Sequence, residues 1–178
     1  MKVRGLKNKN VVVTGATSGI GQAIAVRLAG EGARVAINYL HDPSEADETV
    51  EMVRAVAGQA ATRRAATDQG NADAGPPSYV LVEADVSQEA QVVRMVAEAV
   101  ERLGGVDILV NNAGIQIAGP SHEIPIESFD RVVAVNLRGA YLCAREVIRH
   151  LLAEGKSGAI VNITSAHELI PKPKYIGY

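Results

Sequence analysis

Between a short apolar run and a stretch of helical period lies Thr14-Gly15-Ala16-Thr17-Ser18-Gly19-Ile20-Gly21. Glycines at this spacing permit a tight turn and let the backbone approach a ligand closely. A helix starting at Gly19 would add unpaired N–H groups and the positive end of its dipole. That chemistry suits a pyrophosphate. No Lys-Ser/Thr pair follows the glycines, which disfavours a nucleoside-triphosphate loop. By itself the turn is a tight strand-to-helix connection; its place after the first strand is what points to a dinucleotide. Asn136 interrupts an otherwise helical run, Val132–Tyr141, where asparagine costs several tenths of a kcal/mol relative to Ala. Asp85 follows the third strand and could cap the next helix, though Ser87 is better placed for that. His41, His122, His150 and His167 show no metal-ligand spacing, so no metal site is indicated. Cys143 is the only cysteine and reads as a packing residue on a helix.

The elements that must position these residues alternate. Strands are expected at Asn10–Thr14, Arg34–Tyr39, Val80–Glu83, Val106–Val110 and Ala159–Ile163. Helices are expected at Gly19–Gly30, from Pro43-Ser44 onward with Val50, Val53 and Ala57 on one face, at Gln88–Leu103, and over most of Ile126–Ala153. Val92, Val93, Val96 and Val100 mark the inner face of the third. The alternation predicts an α/β fold, a doubly wound parallel sheet in one dinucleotide-binding domain over residues 1–178. Gly58–Ser78, rich in Ala, Gly and small polar residues, is expected to be a helix end running into a flexible insertion.

Composition narrows the function. The formal net charge is −2 with no dense run of Lys or Arg, which leaves nucleic acid and anionic membrane without an electrostatic footprint. No apolar stretch approaches the length of a membrane span, and only Val11-Val12-Val13 follows the basic start, too short for a signal segment. A cytoplasmic setting is the default expectation.

The turn from Thr14 to Gly21 resembles the cofactor signature of the short-chain dehydrogenases/reductases, and Asn111-Asn112-Ala113-Gly114 resembles that family's N-N-A-G motif. The likeness runs along nearly the whole chain, apart from Gly58–Ser78. An epimerase-like protein is disfavoured, because its turn usually reads G-x-x-G-x-x-G. The resemblance implies a Rossmann-type fold with five of the family's strands present and the last ones missing. It also implies an NAD(P)-dependent oxidoreductase that interconverts a secondary alcohol and a ketone on a small-molecule substrate. By the same resemblance the cofactor is held by Gly15, Thr17, Ser18, Gly19, Ile20 and Gly21 of the turn, and by Asn38 and Tyr39 at the end of strand two. Asp85 would bond the adenine amino group beside Val86, and Asn112, Ala113 and Gly114 would line the cofactor, with Asn111 tying strands together. Asn136 corresponds to the catalytic asparagine, whose carbonyl holds a water. Ser165 corresponds to the serine that bonds the substrate oxygen, with Thr164 a neighbour of similar chemistry. Tyr178, thirteen residues on, would transfer the hydroxyl proton while hydride moves to or from the nicotinamide.

Several features depart from that pattern. The family lysine would fall four residues past Tyr178, beyond the sequence, and Lys172 and Lys174 lie on the wrong side. A phenol in water titrates near 10, and the lysine and oxidised nicotinamide together favour its ionised form. The chain is therefore expected to be a carboxyl-terminally truncated member, barely active alone; the alternative is a non-catalytic dinucleotide-binding module. A homo-oligomer is implied for a full-length form, with part of its helical contact absent from this chain. At the end of strand two, Ala36-Ile37-Asn38-Tyr39-Leu40-His41 shows no acid for the ribose 2′-hydroxyl and no Arg or Lys for a 2′-phosphate. The cofactor reading is NADP or NAD, leaning to NADP. Ser165-Ala166-His167-Glu168-Leu169-Ile170-Pro171 and Asn38-Tyr39 resemble bacterial glucose 1-dehydrogenases, so a sugar or polyol is one candidate substrate. Oxoacyl thioesters, steroids and small ketones are the others.

Overall fold

The computed structural model describes residues 5–65 and 77–178. Five parallel strands are β1 (Asn10–Val13), β2 (Arg34–Tyr39), β3 (Tyr79–Glu83), β4 (Ile108–Asn111) and β5 (Ala159–Asn162), in the order β3-β2-β1-β4-β5. The helices are α1 (Gly19–Gly30), α2 (Asp47–Ala65), α3 (Glu89–Leu103), α4 (Ile126–Val133) and α5 (Ala140–Ala153), with a π-helical turn at Ala134–Gly139 joining the last two. The expected doubly wound sheet is therefore present, and the strand order reverses between β1 and β4, where such folds open a crevice.

Period-two alternation sorts the core. Val11, Val13, Val35, Ile37 and Val110 face α1 and α2, while Val12, Ala36, Val80, Val82 and Leu109 face α3 and α5. Burial on both faces explains why these strands read as continuous apolar runs. β5 differs. Among the described residues it pairs only with β4, and Val161 stays exposed, as does Ile163 just past its end.

Some boundaries move. The strand expected at Val106–Val110 begins at Ile108, with Asp107 just before it donating to Asn10 O and accepting from Ala159 N. β5 ends at Asn162, so Ser165 lies beyond the strand, capping a 3-10 turn at Ala166–Glu168. On α3 the inner face is Val92, Met95, Val96, Ala99 and Leu103; Val93 points outward. α2 continues through Ala65, and the remainder of the expected insertion up to residue 76 lies outside the described residues.

Candidate active site

The glycine turn is held by backbone geometry that only its sequence allows. Gly15 and Gly19 both adopt left-handed φ, +58° and +57°. A Cβ on Gly21 would overlap the Gly15 carbonyl oxygen and the Asn112 amide. Ser18 occupies the N-cap of α1 but makes no side-chain cap, and no acidic residue stands in the first turn. The helix's leading N–H groups are thus left to an outside acceptor, a suitable arrangement for a diphosphate.

Crossing β1 to β4, Thr14 and Asn112 lock the two motifs together. The Thr14 hydroxyl accepts from Asn112 N and Ala113 N, both at 3.0 Å, and Asn112 Nδ2 donates to Thr14 O and Gly15 O, both at 2.9 Å. Thr14 is thus a working part of the site, through bonds that its place in the linear sequence does not reveal. Asn111 donates to Asn162 Oδ1 at 3.0 Å and Ala140 O at 3.1 Å, tying β4 to β5 and α5 as expected. Its Oδ1 is buried without a protein partner.

At the π-helical turn, Asn136 Oδ1 accepts from Ile115 N and Nδ2 donates to Ile115 O, each at 2.9 Å. The asparagine that was a poor choice for a helix is thus a clamp on the segment leaving the N-N-A-G motif. Ile115 contributes only backbone, which no sequence signal marks. Asp85 Oδ1 accepts from Ser87 N at 2.9 Å, forming the turn before α3. Gln88, not the expected Ser87, is the N-cap, and it makes no side-chain cap. Ser87 is instead buried, its carbonyl accepting from Arg138 at 2.6 Å.

Asn38 lines the glycine-turn cavity, with its side-chain atoms bonded to the protein itself. Its side chain is buried: Oδ1 accepts from Gly15 N at 3.0 Å, and Nδ2 faces the carbonyls of Tyr39, Val82 and Ala84 at 3.0–3.3 Å. It fixes the glycine turn to β2 and β3, and its polar atoms are spent there. Tyr39 reaches the cavity, its phenol held above the ordinary range by burial and then by Glu83 and Glu98. The strand end also receives an acid the linear reading missed: Glu45, from the 3-10 turn Pro43–Ala46, places Oε2 3.5 Å from Leu40 N. Arg34 bonds Asn10 and Asn8 at the far end of the strand.

Two cavities open at the carboxyl ends of the strands. One, of about 960 Å³, takes in Gly15, Thr17, Ser18, Gly21, Tyr39, Glu45 and Asp85. The other, of about 850 Å³, takes in Asn136, Ser165, His167 and Tyr178. Ile20, Val86, Asn112, Ala113 and Gly114 line both, and Ile20 is 64% exposed although apolar. Ser165 Oγ accepts from His167 N at 3.2 Å, and the His167 ring meets Tyr178 edge-on, with centroids 5.9 Å apart. Gly19 is the one expected residue that lines neither cavity; its contribution is the backbone turn. Cys143 lies at the back of the second cavity, its thiol pushed up to about 12 by burial.

A family model described as enoyl-(acyl carrier protein) reductase matches residues 15–178. A glucose 1-dehydrogenase of Gluconobacter oxydans is 40% identical over 170 residues, 96% of this chain and 57% of that protein. A 3beta-hydroxysteroid dehydrogenase 1 of Eggerthella lenta is 40% identical over 97% of this chain and 59% of its own length. The crystal structure of a short-chain type dehydrogenase/reductase from Mycobacterium marinum matches with a TM-score of 0.82 at 27% identity, covering 97% of this chain and 63% of that one. The chain thus spans roughly three fifths of the length of the relatives it matches. With the glycine turn, the N-N-A-G motif and the strand order all agreeing with these matches, the chain belongs to the short-chain dehydrogenase/reductase family.

Proposed function

We propose that the protein is an NAD(P)-dependent oxidoreductase that moves a hydride between the nicotinamide and a secondary alcohol or ketone. The observation that carries this is the shared wall of the two cavities. Ile20, Val86, Asn112, Ala113 and Gly114 bound both the glycine-turn cavity and the one containing Ser165 and Tyr178. A dinucleotide laid along the first therefore ends at the second. The bound nicotinamide supplies the hydride chemistry. In this reading Thr17, Ser18 and the α1 N–H groups take the pyrophosphate, and Asp85, with Val86, takes the adenine. Ser165 bonds the substrate oxygen, and Tyr178 donates or accepts the hydroxyl proton. Asn136 holds the loop after Gly114 in place. A cytoplasmic setting goes with the reading.

For the substrate we keep a sugar or polyol, supported by the printed activities of two relatives, the Gluconobacter protein and a glucose 1-dehydrogenase 2 of Bacillus subtilis at 36% identity. His167 stands beside Ser165 and Tyr178, where it can meet a substrate hydroxyl. For the cofactor, Glu45 beside the strand end supports NAD rather than the expected NADP. For a full-length form a homo-oligomer fits the exposed apolar side chains of Ile148 and Leu152 on α5.

The test is nicotinamide fluorescence during titration with NADH and NADPH, then turnover with glucose, other polyols and a hydroxysteroid. Micromolar dinucleotide binding is expected, with alcohol-dependent reduction by these 178 residues at most slow, and Tyr178→Phe should abolish what turnover there is while leaving binding within about threefold. Failure of both dinucleotides to bind at millimolar concentration would overturn the reading. Binding without turnover on any alcohol or ketone would favour the non-catalytic module.

A further inference from the structure

The end of β2 offers no side chain of its own to a ribose before Tyr39, because Asn38 is spent on Gly15 and on the carbonyls of β3 and its following loop. The chain then turns sharply. Asp42 accepts from Ser44 N at 2.9 Å, Pro43 stands in the first turn, and Ala46 is fully buried in the core beneath α2. These anchors on both sides fix the residue between them. That residue is Glu45, and its carboxylate folds back to 3.5 Å from Leu40 N, within the wall of the glycine-turn cavity. A contact that long leaves its oxygens able to accept from a better donor.

The charges around this cavity point the same way. Among the described residues Glu45, Asp85, Glu127 and Asp130 line it, with Arg131 on α4 as the one permanent cation. No Lys or Arg lies between Asn38 and Asp47. We infer that Glu45 is the residue that reads the adenosine ribose. Its carboxylate accepts from the vicinal hydroxyls and repels a 2′-phosphate, so the chain selects NAD(H) over NADP(H). The acid expected on the strand itself is here supplied by the turn that follows it. This rests on the dinucleotide reading above and names the cofactor within it.

Dissociation constants for NADH and NADPH, measured by nicotinamide fluorescence at low and high salt, test it. The chain should bind NADH at least tenfold more tightly, about 1.4 kcal/mol. Glu45→Gln should narrow the ratio to about threefold, by weakening NADH and relieving NADPH, and Glu45→Lys should reverse it. Salt should narrow the ratio for the unaltered chain more than for Glu45→Gln, because a charge is being screened. Equal or tighter binding of NADPH, or an unchanged ratio in both variants, would overturn the inference and leave the dinucleotide reading standing. If neither nucleotide binds, both fall together.

Discussion

Replacing Gly21 with alanine probes the joint between the two motifs. The added methyl would overlap the carbonyl oxygen of Gly15, which is backbone, and the amide of Asn112. Neither can yield cheaply. The Gly15 segment is tethered by Gly15 N to Asn38 Oδ1 at 3.0 Å and by Ala16 N to Asn38 O at 3.1 Å. Asn112 is tethered by its two bonds to Thr14 O and Gly15 O. Overpacking of a closed site costs about 1–3 kcal/mol. Losing the Asn112 pair adds roughly 1–3 kcal/mol, while alanine's better helix propensity returns about 1 kcal/mol. A net loss on the order of 1–5 kcal/mol follows, which for a chain of this size lowers the melting temperature by about 2–20 °C. Thermal unfolding by circular dichroism reads it directly. Asn112→Ala removes one of the two clashing partners, so the double variant should lose less than the sum, with a coupling of about 1 kcal/mol. A Gly21→Ala melting temperature within a degree or two of the original would refute the close approach.

Gly58 lies exposed inside α2 with open space where a Cβ would stand, so Gly58→Ala should stabilise by roughly 1 kcal/mol in urea unfolding. Asn38→Ala should cost on the order of 2–4 kcal/mol and weaken dinucleotide binding, since it strands the buried Gly15 N–H and the β3 carbonyl of Val82; a loss below 1 kcal/mol would count against that role. Cys143, pushed up to about 12 by burial, should stay a neutral thiol and resist thiol reagents at pH 8 until the protein is unfolded. Its folded value lies above the unfolded value of about 8.5. Its contribution is therefore fully present below that pH and should be lost by up to about 1.4 kcal/mol per unit as pH rises toward 12. Urea unfolding of Cys143→Ala, with a shallower alkaline decline than the parent, checks this.

The sequence by itself determined the fold class, the alternation of strand and helix, and the place of the glycine turn. Local chemistry suffices for these: apolar runs buried on both faces, and glycines where φ must be positive. The resemblance also singled out Asn136, whose low helix propensity is answered by the π-helical turn. What the linear reading could not reach were partnerships across long separations. The resemblance implied Asn38 as a cofactor contact, but its side chain bonds the Gly15 amide and the carbonyls of Val82 and Ala84, partners that lie far from it in the chain. Ile115 matters only through its backbone. Glu45 was passed over because it follows β2 by several residues, although Asp42-Pro43-Ser44 is a legible turn signal. Only the tertiary structure decided that this turn folds the carboxylate back to the strand end, because the anchor that forces it, Ala46, is buried by contacts distant in the chain.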